Sequence, residues 1–535
     1  MSSTAQEVTR DELKHDGEGA VVVVSDDGTA PPSGNGADHI PLRLKVIAVL
    51  LVSAIGFGAH WSSGVTGAMK STLKKVVLSD QSNDSQSANP PLQELNIDNT
   101  RYAALEASSD FMTTVLILFA GSVTDRIGGA GAMLYGNIIY SIGAILIAAA
   151  TTVRSYNFMI AGVIVQSLGD IATQVAQYKV FSSWFAPSNG FASTLGLELG
   201  IGRIGAFIGK STANIIAKKS GDFMWVYWAA VFVNLFTNLA TLVFFLFQRW
   251  TERHYGECKD PATGEVLTEK NRKFEFRKMF QLPWAYWGVI GFSVFQTSTA
   301  IVFSQNATEL AEQRFNVDSI TAGWYSAASQ YLGFFLVPCL GVFIDLLGNR
   351  VTVLAVCGTG IFVAMILAAF GPTASGTAGS FGVFAFASSL GATTVIDGIR
   401  NTIWYQDVFG FGYAIKIAVN NSMNIIVRIV TGVIQDRDNN SYDRVVIVYV
   451  FLASGAVLVS VVLVVASFFS IDVAKLQWTK KQRMRKSDLI NQKKEEVEKA
   501  GGVVKGGYLP FFAMAFLMAG SWTAYFWGVA TNNNK

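Results

Sequence analysis

Twelve long apolar runs constrain the fold of this chain more than any other feature of its sequence. Each run holds roughly 18 to 25 mostly hydrophobic residues, and a helix of that length spans the ~30 Å hydrocarbon core of a bilayer. A charged stretch from Gln248 to Leu282 divides the runs into two sets of six. The pattern predicts an all-α membrane protein with a six-helix bundle on each side of that stretch. The runs lie at residues 43–66, 102–122, 130–151, 157–183, 189–217, 224–247, 286–308, 321–344, 350–371, 378–399, 409–435 and 445–470.

The composition agrees with a membrane protein. Charged residues make up 15% of the chain, whereas a soluble domain has about 25%. The net charge of +3 gives no indication of a nucleic-acid partner. Cys258, Cys339 and Cys357 lack the spacing of a metal site or a disulfide framework, so we expect neither a metal nor a cofactor.

The apolar runs and the polar stretches between them define six predicted segments. A further apolar run, 508–530, is either a thirteenth span or a tail that lies on the membrane. The first outward loop, 76–93, is rich in Ser, Asn, Asp and Gln, which indicates disorder. We expect the segment to be a retained intron or a lineage-specific insertion. The predicted segments are a disordered cytosolic tail (1–40), an N-terminal six-helix bundle (41–247), a cytosolic linker (248–284), a C-terminal six-helix bundle (285–471), a basic cytosolic segment (472–507) and the extra hydrophobic segment with the terminus (508–535).

Lysine and arginine residues predict the orientation in the membrane. They cluster after the sixth run and again after the twelfth, so both clusters lie on one side of the bilayer. The positive-inside rule makes that side cytosolic, and the N-terminus with it. Lys70, Lys74 and Lys75, in the first outward loop, oppose this assignment but are fewer. The sequence leaves open a plasma membrane or a vacuolar or lysosomal one.

Two glycine-rich turns occupy corresponding places in the two halves. "GSVTDRIGG" follows the second run and "GVFIDLLGNR" follows the eighth, and both read G-x-x-x-D-x-x-G. An aspartate in such a turn can cap a neighbouring helix N-terminus, and a basic residue can pair with it. Two matches at equivalent places indicate internal duplication. The residues of the turns are Gly121, Asp125, Arg126 and Gly128 in the first half, and Gly341, Asp345, Gly348 and Arg350 in the second.

The two turns resemble the signature loop of the major facilitator superfamily, and the resemblance covers roughly residues 43–470. It implies two six-helix bundles that rock about a central cavity, with a binding site near the bilayer midplane. A closer resemblance, to the branch that contains the animal lysosomal dipeptide transporter, lies in "VAQYKVFSSWF", "LGLELGIGRIGAFIG" and "YAIKIAVNNSMNIIVRIVTGVIQD". It implies that Arg203, in the Arg-Ile-Gly of the fifth span, helps to hold a peptide carboxylate. An accessory glycoprotein subunit is a further expectation.

Four charged residues in the fourth and fifth runs match in depth. An ionisable side chain at the bilayer centre costs about 2.5–3.5 kcal/mol, so such residues face a partner or a wet cavity. Asp170 and Arg203 lie at similar distances from the turn between the runs, and Lys179 and Glu198 match nearer the cytosol. We expect two ion pairs, or one ion pair and a substrate site in which Arg203 binds a carboxylate and Asp170 an amine. Purely structural pairing is the alternative.

The eleventh run carries a polar residue at every fourth position. Lys416, Asn420, Asn424 and Arg428 share one broad helical face, which is implausible against lipid. This face is expected to line the cavity or to meet the other half; hydrogen bonding between helices is the structural alternative. The facilitator resemblance implies that the second and eleventh spans pack against each other, and Asp110 lies as deep from the outer side as Arg428. We therefore predict that these two residues form an ion pair that closes the outer side.

These features predict a transporter that moves a small polar solute by alternating access, with dipeptides or similar zwitterions as the favoured substrate. A facilitator that carries a different organic anion and a nutrient sensor with a transporter fold are the alternatives. The chain has no HExxH motif, Cys–His cluster or serine-centred elbow, so an enzyme is not expected, and no P-loop for ATP. Proton coupling through Asp110, Asp170 or Glu198 and plain facilitated diffusion both stay open.

Overall fold

A computed structural model describes residues 40–74, 97–187, 189–255, 258–259, 266–267, 282–404, 408–499 and 508–531. The predicted loop 76–93, most of the linker 248–284 and all but the last residue of the predicted tail 1–40 lie outside these residues. The short strands β1 (Cys258–Lys259) and β2 (Val266–Leu267) pair antiparallel within the linker. Everything else described below is helical or a turn.

The first six helices coincide with the first six apolar runs and continue beyond several of the predicted ends. Each successive helix reverses direction. We call the end of the bundle at which α6 stops the linker end, and the opposite end the far end. The helices are α1 (Leu42–Lys74), α2 (Asn99–Ile127), α3 (Gly129–Thr152), α4 (Tyr156–Trp184), α5 (Phe191–Ser220) and α6 (Met224–His254).

The next six helices coincide with the second set of runs, and four more follow. Three of these four are short or polar, and the last corresponds to the apolar run 508–530. The helices are α7 (Trp284–Phe315), α8 (Ser319–Leu347), α9 (Arg350–Phe370), α10 (Ala374–Thr402), α11 (Phe409–Arg437), α12 (Asp443–Phe469), α13 (Ile471–Ala474), α14 (Lys480–Arg485), α15 (Ser487–Lys499) and α16 (Tyr508–Thr531).

Side-chain caps fix where four helices begin at the far end. Asp98 and Ser155 accept hydrogen bonds from the backbone N–H groups of the first turns of α2 and α4. Asp318 and Thr373 do the same for α8 and α10. A cap of this kind satisfies a donor that the helix itself cannot, and typically contributes about 1 kcal/mol. The capped helices are the second and fourth of each half, which repeats the duplication seen in the glycine-rich turns.

Helix α2 is the least apolar of the long helices. Twelve helices in the described part of the chain are long and apolar enough to cross a membrane, and α16 is among them whereas α2 is not. Nevertheless α2 has 29 residues and packs between α3, α4 and α11. Its charges at Glu106 and Asp110 meet Arg428 of α11 instead of lipid, which explains how so polar a helix can lie inside a bundle.

The two halves meet along two seams, α5 against α8 and α2 against α11. Glycines bring the helices of the first seam into backbone contact. A Cβ atom on Gly341 would lie 2.4 Å from the Ala192 carbonyl oxygen, and one on Gly196 would lie 2.7 Å from that of Val337. Small residues allow this approach and permit one helix to slide over another. The glycine-rich composition of α5 is therefore a packing requirement of the seam.

The second signature turn joins the halves at the linker end. Asp345 accepts from the backbone N–H of Ser193 at 2.7 Å and from its hydroxyl at 2.5 Å, at the N-terminus of α5. Arg350 pairs with Asp397 of α10, and neither side chain is exposed. Gly128 and Gly348 adopt φ values of 90° and 70°, which favour glycine over other residues. The side chains at Gly121 and Asp125 lie outside the described ones, and Arg126 is exposed.

Helix α16 crosses the full depth of the bundle. Near the linker end, Phe511 lies edge-on to Trp287 of α7, with ring centroids 5.0 Å apart. Toward the far end, Tyr525 stacks on Phe111 of α2 at 4.6 Å and its hydroxyl lies 2.9 Å from that of Ser108. Its 24 residues give a helix of about 36 Å. Of the two predicted arrangements, the contacts fit a thirteenth span.

Gly341→Ala is expected to destabilise the α5–α8 seam. The new methyl group would collide with the backbone of Ala192, which cannot move without shifting α5. Overpacking of this kind costs about 1–3 kcal/mol. Thermal denaturation of the detergent-purified protein should therefore show a lower midpoint. Gly382→Ala, a glycine in α10 with no atom within 4 Å of the added Cβ, is the matched control and should not lower it. Equal midpoints for both variants would contradict the packing argument.

A tag fused after Lys535 is expected on the side of the membrane opposite to a tag inserted in the linker. An odd number of spans separates the N-terminus from the end of α16, whereas six separate it from the linker. Antibody labelling of intact and permeabilised cells measures this directly. If both tags become accessible in the same step, α16 does not cross the membrane.

Candidate functional site

A central cavity of about 550 Å³ lies between the two halves. This volume falls within the usual range of small-molecule sites. Helices α1 to α8, α10 and α11 all contribute to its wall. The charged side chains that line it come from five of these helices, and they are His60, Glu106, Asp110, Asp170, Glu198, Arg203, Lys210, Lys416 and Arg428.

Arg203 reaches across the cavity to the second half. Its Nη1 donates a hydrogen bond to the Gln330 side-chain oxygen of α8 at 2.7 Å. The predicted Asp170–Arg203 ion pair is therefore wrong, although both residues line the cavity. Counting residues from a turn gives the depth of a side chain but not its direction around the helix axis. Arg203 points to α8, where its positive charge meets a neutral amide and no carboxylate among the described residues.

Asp170 is the least engaged carboxylate of the cavity. It makes no hydrogen bond or ion pair with any residue that the structure describes, and its surroundings include His60 of α1 and the phenol of Tyr140. A half-buried carboxylate without a fixed donor is available to a solute. The Asp170 and Arg203 side chains thus present opposite charges to one cavity without neutralising each other.

Glu198 faces α1 instead of α4. Its Oε1 lies 3.7 Å from Nε2 of His60, and the Glu198 side chain is 2% exposed whereas that of His60 is 36% exposed. The predicted Lys179–Glu198 pair is wrong for the same reason as the first pair, because matched depth does not make two side chains face each other. Lys179 is buried outside the cavity lining. Both residues line the cavity, and His60 is the more exposed of the two.

A chain of hydrogen bonds connects the two cavity-lining cations of α5, Arg203 and Lys210, through the second half. Gln330, which accepts from Arg203, donates to the Ser304 hydroxyl of α7 at 3.3 Å. Lys210 donates to the Ser304 carbonyl oxygen at 2.6 Å and to its hydroxyl at 3.1 Å. Arg203 and Lys210 are thereby held by neutral groups of the second half.

The polar face of α11 divides between the cavity and the helix interface. Lys416 and Asn420 line the cavity, and Asn420 donates to Ser293 of α7 at 2.9 Å. Asn424 does not line it and is 1% exposed. Of the two environments expected for this face, Asn424 has the second, because α2 packs against α11 at this height and places Asn424 beside Asp110 of the other half.

Arg428 connects α11 to α2 toward the far end. Its Nε lies 2.9 Å from Asp110 Oδ2, which is the ion pair predicted from matched depth, and its Nη1 lies 3.1 Å from Glu106 Oε2. Gln305 of α7 accepts from the same guanidinium. One cation therefore holds two carboxylates of the other half.

A second ionic cluster at the far end was not predicted. Lys70 and Lys74 lie 3.0 Å and 2.5 Å from the carboxylate of Glu309 in α7, and Tyr442 donates to that carboxylate at 2.5 Å. The expectation that both lysines lie in a loop is wrong, because α1 continues to Lys74 and buries Lys70 to 3% exposure. Their spacing of four residues was the available signal for a helical face.

Aromatic side chains join the halves on the other side of the cavity. Tyr178 of α4 lies edge-on to Tyr413 of α11, with centroids 4.7 Å apart, and Tyr178 lines the cavity floor. Phe191 of α5 meets Phe409 of α11 at 5.7 Å. Beyond them Lys480 of α14 donates to Asn189 at 2.8 Å. The linker end is thus joined by rings and the far end by charges.

Comparison with known proteins identifies the family. The sequence profile of the Major Facilitator Superfamily matches residues 85–403, which is more than half of the chain. The chain belongs to this superfamily. The predicted twelve-helix facilitator fold is confirmed, and membership makes the protein a multi-pass membrane transporter of small solutes. None of the curated proteins compared with the chain is similar to it.

Solved structures of the same fold include two of one bacterial transporter. A structure of the E. coli fucose:proton symporter FucP has a TM-score of 0.55 and 13% identity, and covers 78% of this chain and 97% of its own. A structure of FucP in the outward conformation has a TM-score of 0.54 and 15% identity, and covers 78% and 98%. At this identity the likeness supports the fold alone.

Among the described residues no group of His, Cys, Asp and Glu could hold a metal ion.

Arg428→Gln is expected to open the far end more than Asp110→Asn. The first change leaves two carboxylates without their cation, whereas the second leaves Arg428 paired with Glu106. Loss of a closing interaction of about 1–2 kcal/mol shifts a two-state equilibrium about tenfold. A cysteine at Ser63, in the cavity wall of an otherwise cysteine-free chain, should then react faster with an impermeant maleimide added at the far side.

Exchange of the charges, Asp110→Arg with Arg428→Asp, provides the control. It restores one attraction but sets the carboxylate introduced on α11 against Glu106, so the labelling rate should return only partly toward that of the unmodified protein. Identical labelling of all four proteins would mean that this ion pair does not close the far end.

Proposed function

We propose that the protein transports dipeptides or similar zwitterions by alternating access, as a symporter or a facilitative carrier. One observation carries the proposal. Arg203 and Asp170 line the same cavity, and neither is ion-paired with any residue that the structure describes. Charges left unpaired within a membrane are costly and mark binding sites. A solute with one carboxylate and one amine satisfies both.

Arg203 is the proposed carboxylate site. A guanidinium binds a carboxylate through two parallel hydrogen bonds, which are stronger than a bond to a neutral amide. A bound solute would therefore replace the Gln330 oxygen, which is now 2.7 Å away. Because Gln330 belongs to the second half, the exchange would change a contact between the halves. The resemblance of Arg203-Ile204-Gly205 to the dipeptide branch supports the same role.

Asp170 is the proposed amine site, and α11 completes the cavity from the second half. Lys416 and Asn420 lie on the cavity wall and are proposed to contact the peptide group or a side chain. Glu198 also lines the cavity, but His60 lies beside it at 3.7 Å, and the other two lining carboxylates are paired with Arg428. This difference in engagement favours Asp170 for the amine.

Alternating access is proposed to break one set of contacts between the halves at a time. The 41–247 and 285–471 bundles would rock about the cavity, with Arg428, Asp110 and Glu106 as the far-end closure. The aromatic pair Tyr178–Tyr413 is the corresponding closure toward the linker end. The linker end is proposed to face the cytosol of a plasma membrane or a vacuolar or lysosomal one, and the basic residues of the linker and of α14 support this through the positive-inside rule.

An organic anion without an amine is the second candidate substrate. Arg203, Lys210 and Lys416 give the cavity three cations that no described carboxylate pairs. The lining as a whole carries no excess of positive charge, but these three unpaired cations are available to the carboxylates of an anion. Competition by an N-acetylated dipeptide separates the candidates, because acetylation removes the amine and keeps the carboxylate. Equal competition by the acetylated and free forms would favour the anion.

Arg203→Ala is expected to abolish dipeptide transport while the protein is still made and inserted. Counterflow of labelled Ala-Ala into proteoliposomes that contain unlabelled Ala-Ala measures transport without assuming an ion gradient. Removal of a charge-assisted carboxylate contact costs about 1.5–3 kcal/mol, or roughly ten- to a hundredfold in affinity.

Arg437→Ala is the matched control, since Arg437 is an exposed arginine at the end of α11. This variant should transport at the rate of the unmodified protein. Normal counterflow by Arg203→Ala would exclude Arg203 as the carboxylate site.

A further inference from the structure

Lys210 is a charged residue of the cavity that takes no part in the proposed binding of a dipeptide backbone. Its residue exposure is 3%, and it lines the cavity. Its ammonium group donates to the Ser304 carbonyl oxygen at 2.6 Å and to the hydroxyl at 3.1 Å. Both acceptors are neutral, and the charged group that acts on it is Arg203, of the same sign. The arrangement leaves a buried positive charge without a counter-charge from the described residues.

The position of Lys210 differs in height from that of the proposed backbone site. Lys210 follows Arg203 by seven residues on the same helix, which corresponds to two turns and about 10 Å toward the far end. Asp170 lies at about the height of Arg203, as counted from the turn between α4 and α5. A dipeptide whose carboxylate and amine are bound at that height can direct one side chain toward the far end, where Lys210 lies.

We infer that Lys210 and Ser304 form a subsite for a second carboxylate of the solute. Under the proposed function, on which this inference rests, that group is the side chain of a glutamate or aspartate residue in the dipeptide. Lys210 then determines specificity between acidic and neutral side chains, and Arg203 and Asp170 recognise the backbone that all dipeptides share.

The chemistry of the subsite favours a carboxylate over the amide of equal shape. An ammonium group has three donors, and Ser304 accepts two of them, so one is left for a ligand. The Ser304 hydroxyl can turn and donate to the same carboxylate. A carboxylate also offsets the repulsion between Lys210 and Arg203, which an amide cannot do. Charge-assisted hydrogen bonds are about twice as strong as neutral ones.

The test compares Glu-Ala and Ala-Glu with Gln-Ala and Ala-Gln as competitors of Ala-Ala counterflow. In the unmodified protein at least one acidic dipeptide should compete roughly tenfold better than its amide counterpart. Lys210→Met should remove this preference, measured as the ratio of acidic to amide competition within the variant whatever its Ala-Ala counterflow rate, and Lys210→Arg should retain it. Lys218→Met, an exposed lysine of the same helix, should behave as the unmodified protein.

The outcomes separate the subsite from the proposed function. Ala-Ala counterflow with an acid preference that Lys210→Met leaves unchanged, or with no preference at all, overturns the subsite and leaves the dipeptide function standing. If no dipeptide is transported, the proposed function fails. The subsite is then tested by the thermal stabilisation that glutarate and its monoamide give to the purified protein. Stabilisation by glutarate that exceeds that by the monoamide and is lost in Lys210→Met supports the subsite; equal stabilisation overturns it.

Discussion

Each charge that a helix carries into a bilayer must meet a counter-charge, a hydrogen-bonding group or water, and this requirement organises the interior of the protein. At the far end the charges cancel: Glu309 holds Lys70 and Lys74, and Arg428 holds Asp110 and Glu106. Around the central cavity they do not cancel, because the cations of α5 rest on neutral groups. A solute can supply the counter-charges that are missing around the cavity. The pairing pattern therefore distinguishes the residues that close the transporter from those that recognise the solute.

The two closures depend on different physical interactions. Opening the far end separates ion pairs but rehydrates every group, so the net free-energy cost is small compared with the Coulomb attraction. Opening the linker end exposes the rings of Tyr178, Tyr413, Phe191 and Phe409 and separates the Asp345 cap from α5. The cost of exposing the rings scales with apolar area and does not depend on the screening of charges by salt. Ionic strength therefore acts on one closure more than on the other.

The sequence correctly predicted the structural features that depend on a single helix or a single turn. Length and hydropathy predicted the spans, and the paired turns predicted duplication, because both are local properties. The Asp110–Arg428 contact followed from depth together with an adjacency that the family resemblance supplied. Depth alone failed for Arg203 and Glu198, since the direction of a side chain around its helix depends on how helices pack. Lys70 was missed because charges at the end of an apolar run resemble a loop.

Helix α16 gives the fold an asymmetry that its duplicated halves lack. It covers the α2–α11 seam through Phe111, Ser108 and Ile429, and no described helix covers the α5–α8 seam in the same way. The two halves of this fold are parallel repeats about an axis along the membrane normal, so their duplication alone does not make the inward- and outward-facing states equal in energy. Here one rocking motion must slide two helices beneath a third that contacts both. The resting distribution between the states is thus biased by a segment that does not line the cavity, and shortening the chain before Tyr508 would alter the direction in which the empty carrier prefers to face.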